Sequence, residues 1–139
     1  MSVQEQQKIK EKYYGEAMRY MDNAKEYLKG AKKENSIYRD PKYVRTACGA
    51  AYNGVLIALD GFLLLKGIDK PKGKARKSIE FYQQSLGNLD RKMMDNLNIA
   101  YKILHLYCYY DGIDSVDVVK TGFNFADKII EKIRHEQYN

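Results

Sequence analysis

The residues of this chain best suited to chemistry are Tyr101, His105 and Tyr109, which recur at four-residue steps, with Cys108 three residues after the histidine. An imidazole titrates near neutral pH and can lower the pKa of a nearby thiol, so a Cys-His pair raises nucleophilic catalysis as a reading. No oxyanion donor or nucleophile signature accompanies the pair. Cys108 also fits the apolar stripe of its own helix, where a free cysteine packs as a small hydrophobe. Tyr101, His105 and Tyr109 therefore read as a binding face that could line a small-molecule pocket, with no residue assigned as catalytic. The other histidine, His135, stands beside Arg134 near the end of the last helix, where a cation suits the helix dipole and exposure is expected.

Other reaction classes lack their residues. Carboxylate-bridged metal bundles need Glu-x-x-His pairs on facing helices, and none occurs, so no metal and no cofactor are expected. A phosphate-cradling Gly-x-x-x-x-Gly-Lys-Ser/Thr loop and a Gly-x-Ser-x-Gly elbow are both missing. Cys48 and Cys108 are too few and too far apart to suggest a disulfide framework or a zinc site, and they read as reduced thiols in a cytoplasmic protein. The formal charge of +6 is concentrated in residues 66–77, where Lys66, Lys70, Lys72, Lys74, Arg76 and Lys77 oppose only Asp69. Clustered cations attract phosphates and acidic partners, which makes Lys70, Lys72, Lys74, Arg76 and Lys77 candidate nucleic-acid contacts; the other reading is a solvated loop.

The elements that must position these residues are helical, since no stretch alternates apolar and polar residues as a strand would. At 139 residues the chain amounts to one domain, and an up-and-down bundle of about five helices is expected over residues 1–139. The first helix opens on the capping box Ser2-Val3-Gln4-Glu5 and extends to about Lys33. Along it Tyr14, Met21 and Leu28 share one heptad position and Ala17, Ala24 and Ala31 another, so a partner helix can come close over the alanines. Tyr13, Tyr20 and Tyr27 repeat on the same spacing as a shoulder, either the edge of the core or an interface.

A loop at residues 34–36 leads to Asp40-Pro41, an N-cap followed by proline at the first helical position. The second helix runs to Lys66 and stops at Gly67; its small residues, Ala47-Cys48-Gly49-Ala50-Ala51-Tyr52-Asn53-Gly54, make it the central one, with Gly54 the position least tolerant of bulk. A short helix from about Lys74 to Leu86 ends at Gly87. The fourth, capped by Asn88 or Asp90, turns Leu97, Tyr101, Leu104 and Cys108 to one face and ends at Asp111-Gly112. The fifth, after Asp114-Ser115, turns Val119, Phe123, Ala126, Ile130 and Ile133 inward. Residues 1–12 are polar, with no apolar run of the signal-peptide kind. The most apolar stretch, residues 55–65, is broken by Asp60 and Gly61 and falls short of the roughly 20 residues that span a bilayer, so no membrane is expected.

The order of elements, residues 50–60 (Ala-Ala-Tyr-Asn-Gly-Val-Leu-Ile-Ala-Leu-Asp) and the join from Tyr107 to Val119 resemble HEPN-like domains. Ribonucleases of that group carry an Arg, a short spacer and a His on one helix, followed by a tyrosine and Ile-Asp. Tyr109 and Ile113-Asp114 match the downstream part, but no arginine precedes His105 or His135 at the required spacing, and Lys102 and Tyr107 take the approximate places. Tyrosine titrates near 10 and is a poor substitute for an imidazole that must shuttle a proton. The resemblance thus implies the fold without the activity. It also implies partners: such domains dimerise, pair with nucleotidyltransferases, or serve as adaptor or RNA-binding modules. The expectation is a non-catalytic interaction module, a homodimer with a protein partner. RNA binding through residues 66–77 is the alternative, ahead of a divergent ribonuclease using Lys102, His105 and Tyr107.

Overall fold

The computed structural model describes residues 1–69 and 78–136. Helix α1, Val3–Gly30, starts as its capping box requires, Glu5 N donating to Ser2 Oγ at 3.0 Å. It ends about a turn before Lys33, because Lys32 takes a positive φ of 54° and the chain turns into a small hairpin, β1 (Lys33–Glu34) and β2 (Ile37–Tyr38). Asn35, with φ 60°, supplies the left-handed turn between these antiparallel strands. Strands this short carry no legible alternation, so the expected loop is a hairpin. It is functional scaffolding: Tyr38 N donates to Asp114 O and Val116 N to Ser36 O, both at 2.9 Å, which pins the loop before the last helix.

Helix α2, Pro41–Leu65, begins at the expected Asp40 cap and ends before Gly67, whose φ of 81° glycine adopts readily. Then follow α3 (Ile79–Leu89), α4 (Arg91–Ala100), a π-helical segment (Tyr101–Tyr110) and α5 (Val116–Arg134). Asp90 closes α3 through its backbone N–H to Leu86 O and opens α4 by accepting from Met93 N at 3.0 Å. Gly87 therefore lies inside α3 instead of ending it, where it lets Met94 approach. The all-α bundle is as expected. All five inward residues expected on α5, Val119, Phe123, Ala126, Ile130 and Ile133, are buried.

α2 is the core helix, antiparallel to α1, and their mutual approach has a glycine register. A Cβ on Gly54 would stand 3.4 Å from Tyr20 Cβ and 3.1 Å from Ala17 O; one on Gly61 would overlap Tyr13 Cβ and come within 2.6 Å of Ile133 Cδ1. The tyrosine heptad thus matches a glycine heptad on the facing helix, and Tyr13 and Tyr20 are core edge, while Tyr27 is exposed. Gly61, squeezed by α1 and α5 together, is tighter than Gly54, the position expected to be least tolerant. By length and composition α2 could cross a membrane, yet most of its apolar stretch is buried inside the bundle, as a core helix requires. Its one acid, Asp60, accepts from Tyr82 OH of α3 at 2.7 Å. Burial first, and that carboxylate second, raise the Tyr82 pKa and keep the phenol a donor.

The cysteines are not reduced thiols. Cys48 of α2 and Cys108 of the π segment, both fully buried with Cα atoms 6.2 Å apart, form a disulfide across a sequence separation of 60. Sequence distance misled here because antiparallel helices bring distant positions face to face. On the chain-entropy account a loop of that length contributes about 4 kcal/mol to stability.

Two substitutions test this packing. Gly61→Val should lower unfolding free energy in urea by about 2–3 kcal/mol through forced displacement of Tyr13 and Ile133. Gly15→Ala, on an open face of α1, should raise it by about 0.5–1 kcal/mol; equal effects at the two sites would refute the packing argument. Tyr82→Phe should cost about 1–3 kcal/mol by the same measurement, since it strips a partly buried carboxylate of a donor.

Candidate functional site

The π segment is held from both sides by glycines. On α5, a Cβ at Gly122 would come within 2.6 Å of Ile103 Cγ2 and 2.9 Å of Leu104 Cδ2; on α2, one at Gly49 would stand 3.3 Å from the Tyr109 ring. These gaps admit a segment wound more widely than an α-helix, and Asp111 N donates to Leu106 O, five residues back, at its end. π-helical turns are rare and recur at functional sites.

On this segment the sequence-predicted residues come together. The His105 ring stacks on Tyr52 of α2 (centroids 4.9 Å, planes 27° apart), on Tyr101 (5.4 Å, 28°) and on Tyr109 (6.0 Å, 13°), and meets Tyr110 edge-on at 5.0 Å. The last contact is a product of the π winding. In an α-helix residues five apart point about 140° away from each other, whereas here the wider turn puts Tyr110 beside His105, and it packs edge-on against Tyr109 as well. Tyr52 is buried and Tyr101 half-buried, while Tyr107, Tyr109 and Tyr110 are 41%, 46% and 63% exposed.

Burial, with Tyr101 adding a smaller effect, raises the Tyr52 pKa and keeps it neutral. Burial lowers the His105 pKa below the ordinary 6.5, so at neutral pH the imidazole is an uncharged aromatic ring within the stack. Rings 5–6 Å apart leave no room for a further planar group between them, since ring faces need about 3.5 Å of separation on each side. Tyr101, His105 and Tyr109 therefore form a packed column whose end at Tyr109 is exposed. A cavity of about 250 Å³ lies elsewhere, between α4 and α5, lined by residues including Lys92, Asn96, Lys128 and Lys132.

Nucleophilic chemistry finds no support: Cys108 is bonded to Cys48 and has no thiolate to offer. Tyr107 lies two positions from His105 on the helix and faces away from it. No group of three or more His, Cys, Asp or Glu suited to a metal occurs among the described residues. The cationic candidates Lys70, Lys72, Lys74, Arg76 and Lys77 lie outside the described residues. One residue that sequence reasoning overlooked is Arg45, whose guanidinium packs against Gly112 (φ 71°) just beyond Tyr110. The antiparallel register of α2 and the π segment brings it to the end of that segment.

Comparison with known proteins gives kinship without a role. A family model described as a domain of unknown function (DUF5618) matches residues 12–135. Among solved structures the chain is similar to a protein of unknown function from Dyadobacter fermentans, 37% identical, over 96% of this chain and 97% of that one, with a TM-score of 0.79. No curated protein matches.

The half-buried histidine sets a pH dependence. Unfolded chains protonate His105 near 6.5, whereas the folded protein resists until lower pH, so its contribution is full above 6.5 and is lost as pH falls from there through the folded value. The urea midpoint of the wild type should drop more between pH 7.5 and 5.5 than that of His105→Phe; equal drops would show that His105 is not desolvated.

Proposed function

This chain belongs to the DUF5618 family, and from its geometry we propose that it is a non-catalytic, HEPN-like interaction module that binds protein, first of all a second copy of itself, through the exposed end of the aromatic column. The observation that carries the reading is the rigid presentation of Tyr109 and Tyr110. Stacking around His105 fixes their rings before any partner arrives, so little side-chain entropy remains to be lost on binding. Each ring offers apolar area with a hydroxyl at its rim, and the Arg45 guanidinium packs against Gly112, two residues beyond Tyr110. Tyrosine and arginine are the residue types that dominate binding energy at protein interfaces. The HEPN-like assignment draws on the helix order and on the join at Tyr109 and Ile113-Asp114, where the Asp114 carbonyl accepts from Tyr38 N. The reading is non-catalytic because the His105 ring is occupied by stacking on Tyr52, Tyr101 and Tyr109 and Cys108 is bonded to Cys48.

Light scattering on the full chain over a concentration series tests this. The expected mass is twice the 16.2 kDa of one chain, falling to one chain for Tyr109→Ser/Tyr110→Ser at unchanged helical content. A wild type that stays monomeric at every concentration would refute self-association. Salt-sensitive RNA binding by the same sample, lost on neutralising Lys70, Lys72 and Lys74, would move the function to the basic segment.

A further inference from the structure

The disulfide and the tyrosine face are mechanically one unit. Cys48 adjoins Gly49, over which the Tyr109 ring lies, and Cys108 adjoins Tyr109 itself. The bond therefore clamps α2 to the π segment at the residue pair next to the face. Both sulfurs are fully buried, yet the opened form has a partner ready: Cys108 Sγ lies 3.5 Å from Val44 O, within reach of a thiol donating to that carbonyl. The Cys108 thiol of the opened form thus has an acceptor already in place.

We propose that Cys48–Cys108 is a redox-responsive modification site whose reductant is a dithiol, and that opening it releases the π segment and the fixed arrangement of Tyr109 and Tyr110. One thiolate of the dithiol attacks one of the two sulfurs, breaking the Sγ–Sγ bond and forming a mixed disulfide; the second thiolate displaces the remaining cysteine. Two electrons pass from dithiol to protein, the reductant leaves as a disulfide, and the two cysteine thiolates each take a proton. Burial makes local opening of the segment a prerequisite, so the response is slow in the folded chain. Inside a reducing compartment, bonds of this kind are redox-sensing more often than structural. Control of partner binding by this site rests on the interaction reading above; the redox site itself does not.

The full chain, purified without reductant, is unfolded in iodoacetamide and weighed, before and after dithiothreitol. No alkylated cysteine is expected before and two after. In the folded protein, nuclear Overhauser contacts between the His105 and Tyr110 rings should be lost on reduction and return on reoxidation, and Cys48→Ser/Cys108→Ser should lack them without any reductant. Two alkylated thiols in the untreated oxidised chain, or ring contacts that survive complete reduction, would overturn the proposal; the second result needs no variant to fold. Light scattering in both redox states separates the two readings. Association that ignores reduction overturns the control while the interaction module stands, and a monomer in both states whose ring contacts still respond overturns the module while upholding the redox site.

Discussion

Close approach to α2 is the constraint on which the rest of this fold depends. Its glycines, alanines and one cysteine leave room for three neighbours at backbone distance: α1 over Gly54 and Gly61, α5 over Gly61 through Ile133, and the π segment over Cys48 and Gly49. Small residues contribute little apolar area each, so cohesion there comes from dense contact and from the large side chains lent by neighbours, Tyr13, Tyr20, Met21 and Ile133 among them. The same economy explains why glycines that weaken helix propensity are spread along the most buried helix. Each stands where another side chain occupies the missing Cβ.

Polar groups follow from that arrangement. With the axis of the bundle filled by small apolar residues, cross-helix polar contacts lie toward its flanks: Tyr14 OH donates to Glu131 at 2.9 Å between α1 and α5, Lys25 pairs with Asp127, and Asp60 of α2 reaches outward to Tyr82. The exposed pairs contribute little in water. The Asp60 contact counts for more, because a hydrogen bond to a half-buried carboxylate is screened less by water than an exposed ion pair.

What the sequence made legible was what depends on local chemistry. Ser2, Asp40, Asp90 and Ser115 cap helices because short polar side chains reach free amides wherever they stand before an apolar run, and the heptads on α1 and the stripe on α5 needed only periodicity. What escaped depends on neighbours. Leu97, Tyr101, Leu104 and Cys108 fit an α-helical stripe, and nothing in their spacing says that from Tyr101 the winding widens; that follows from Gly122 and Gly49 on two other helices. The disulfide needed the α2 register, and the hairpin needed its pairing with the loop before α5. At the candidate site, the alignment of Tyr101, His105 and Tyr109 was legible as a four-residue repeat, whereas Tyr52 joins it through tertiary contact and Tyr110 only through the π winding.

These neighbour-dependent features are also the ones on which the proposed reading of recognition over catalysis rests. A histidine on a helix face invites an acid-base role, and on an ordinary α-helix His105 would have had one flank open where Tyr110 now stands. The π turn closes that flank, burial keeps the ring neutral, and Cys108 is bonded to Cys48. The contacts that surround the His105 ring also pack Tyr109 and Tyr110 against it, and the proposed recognition surface rests on that packing. A helix distortion usually associated with reactive sites serves here to lock an aromatic cluster, and its outer edge, formed by Tyr109 and Tyr110, inherits the order of the histidine beneath it.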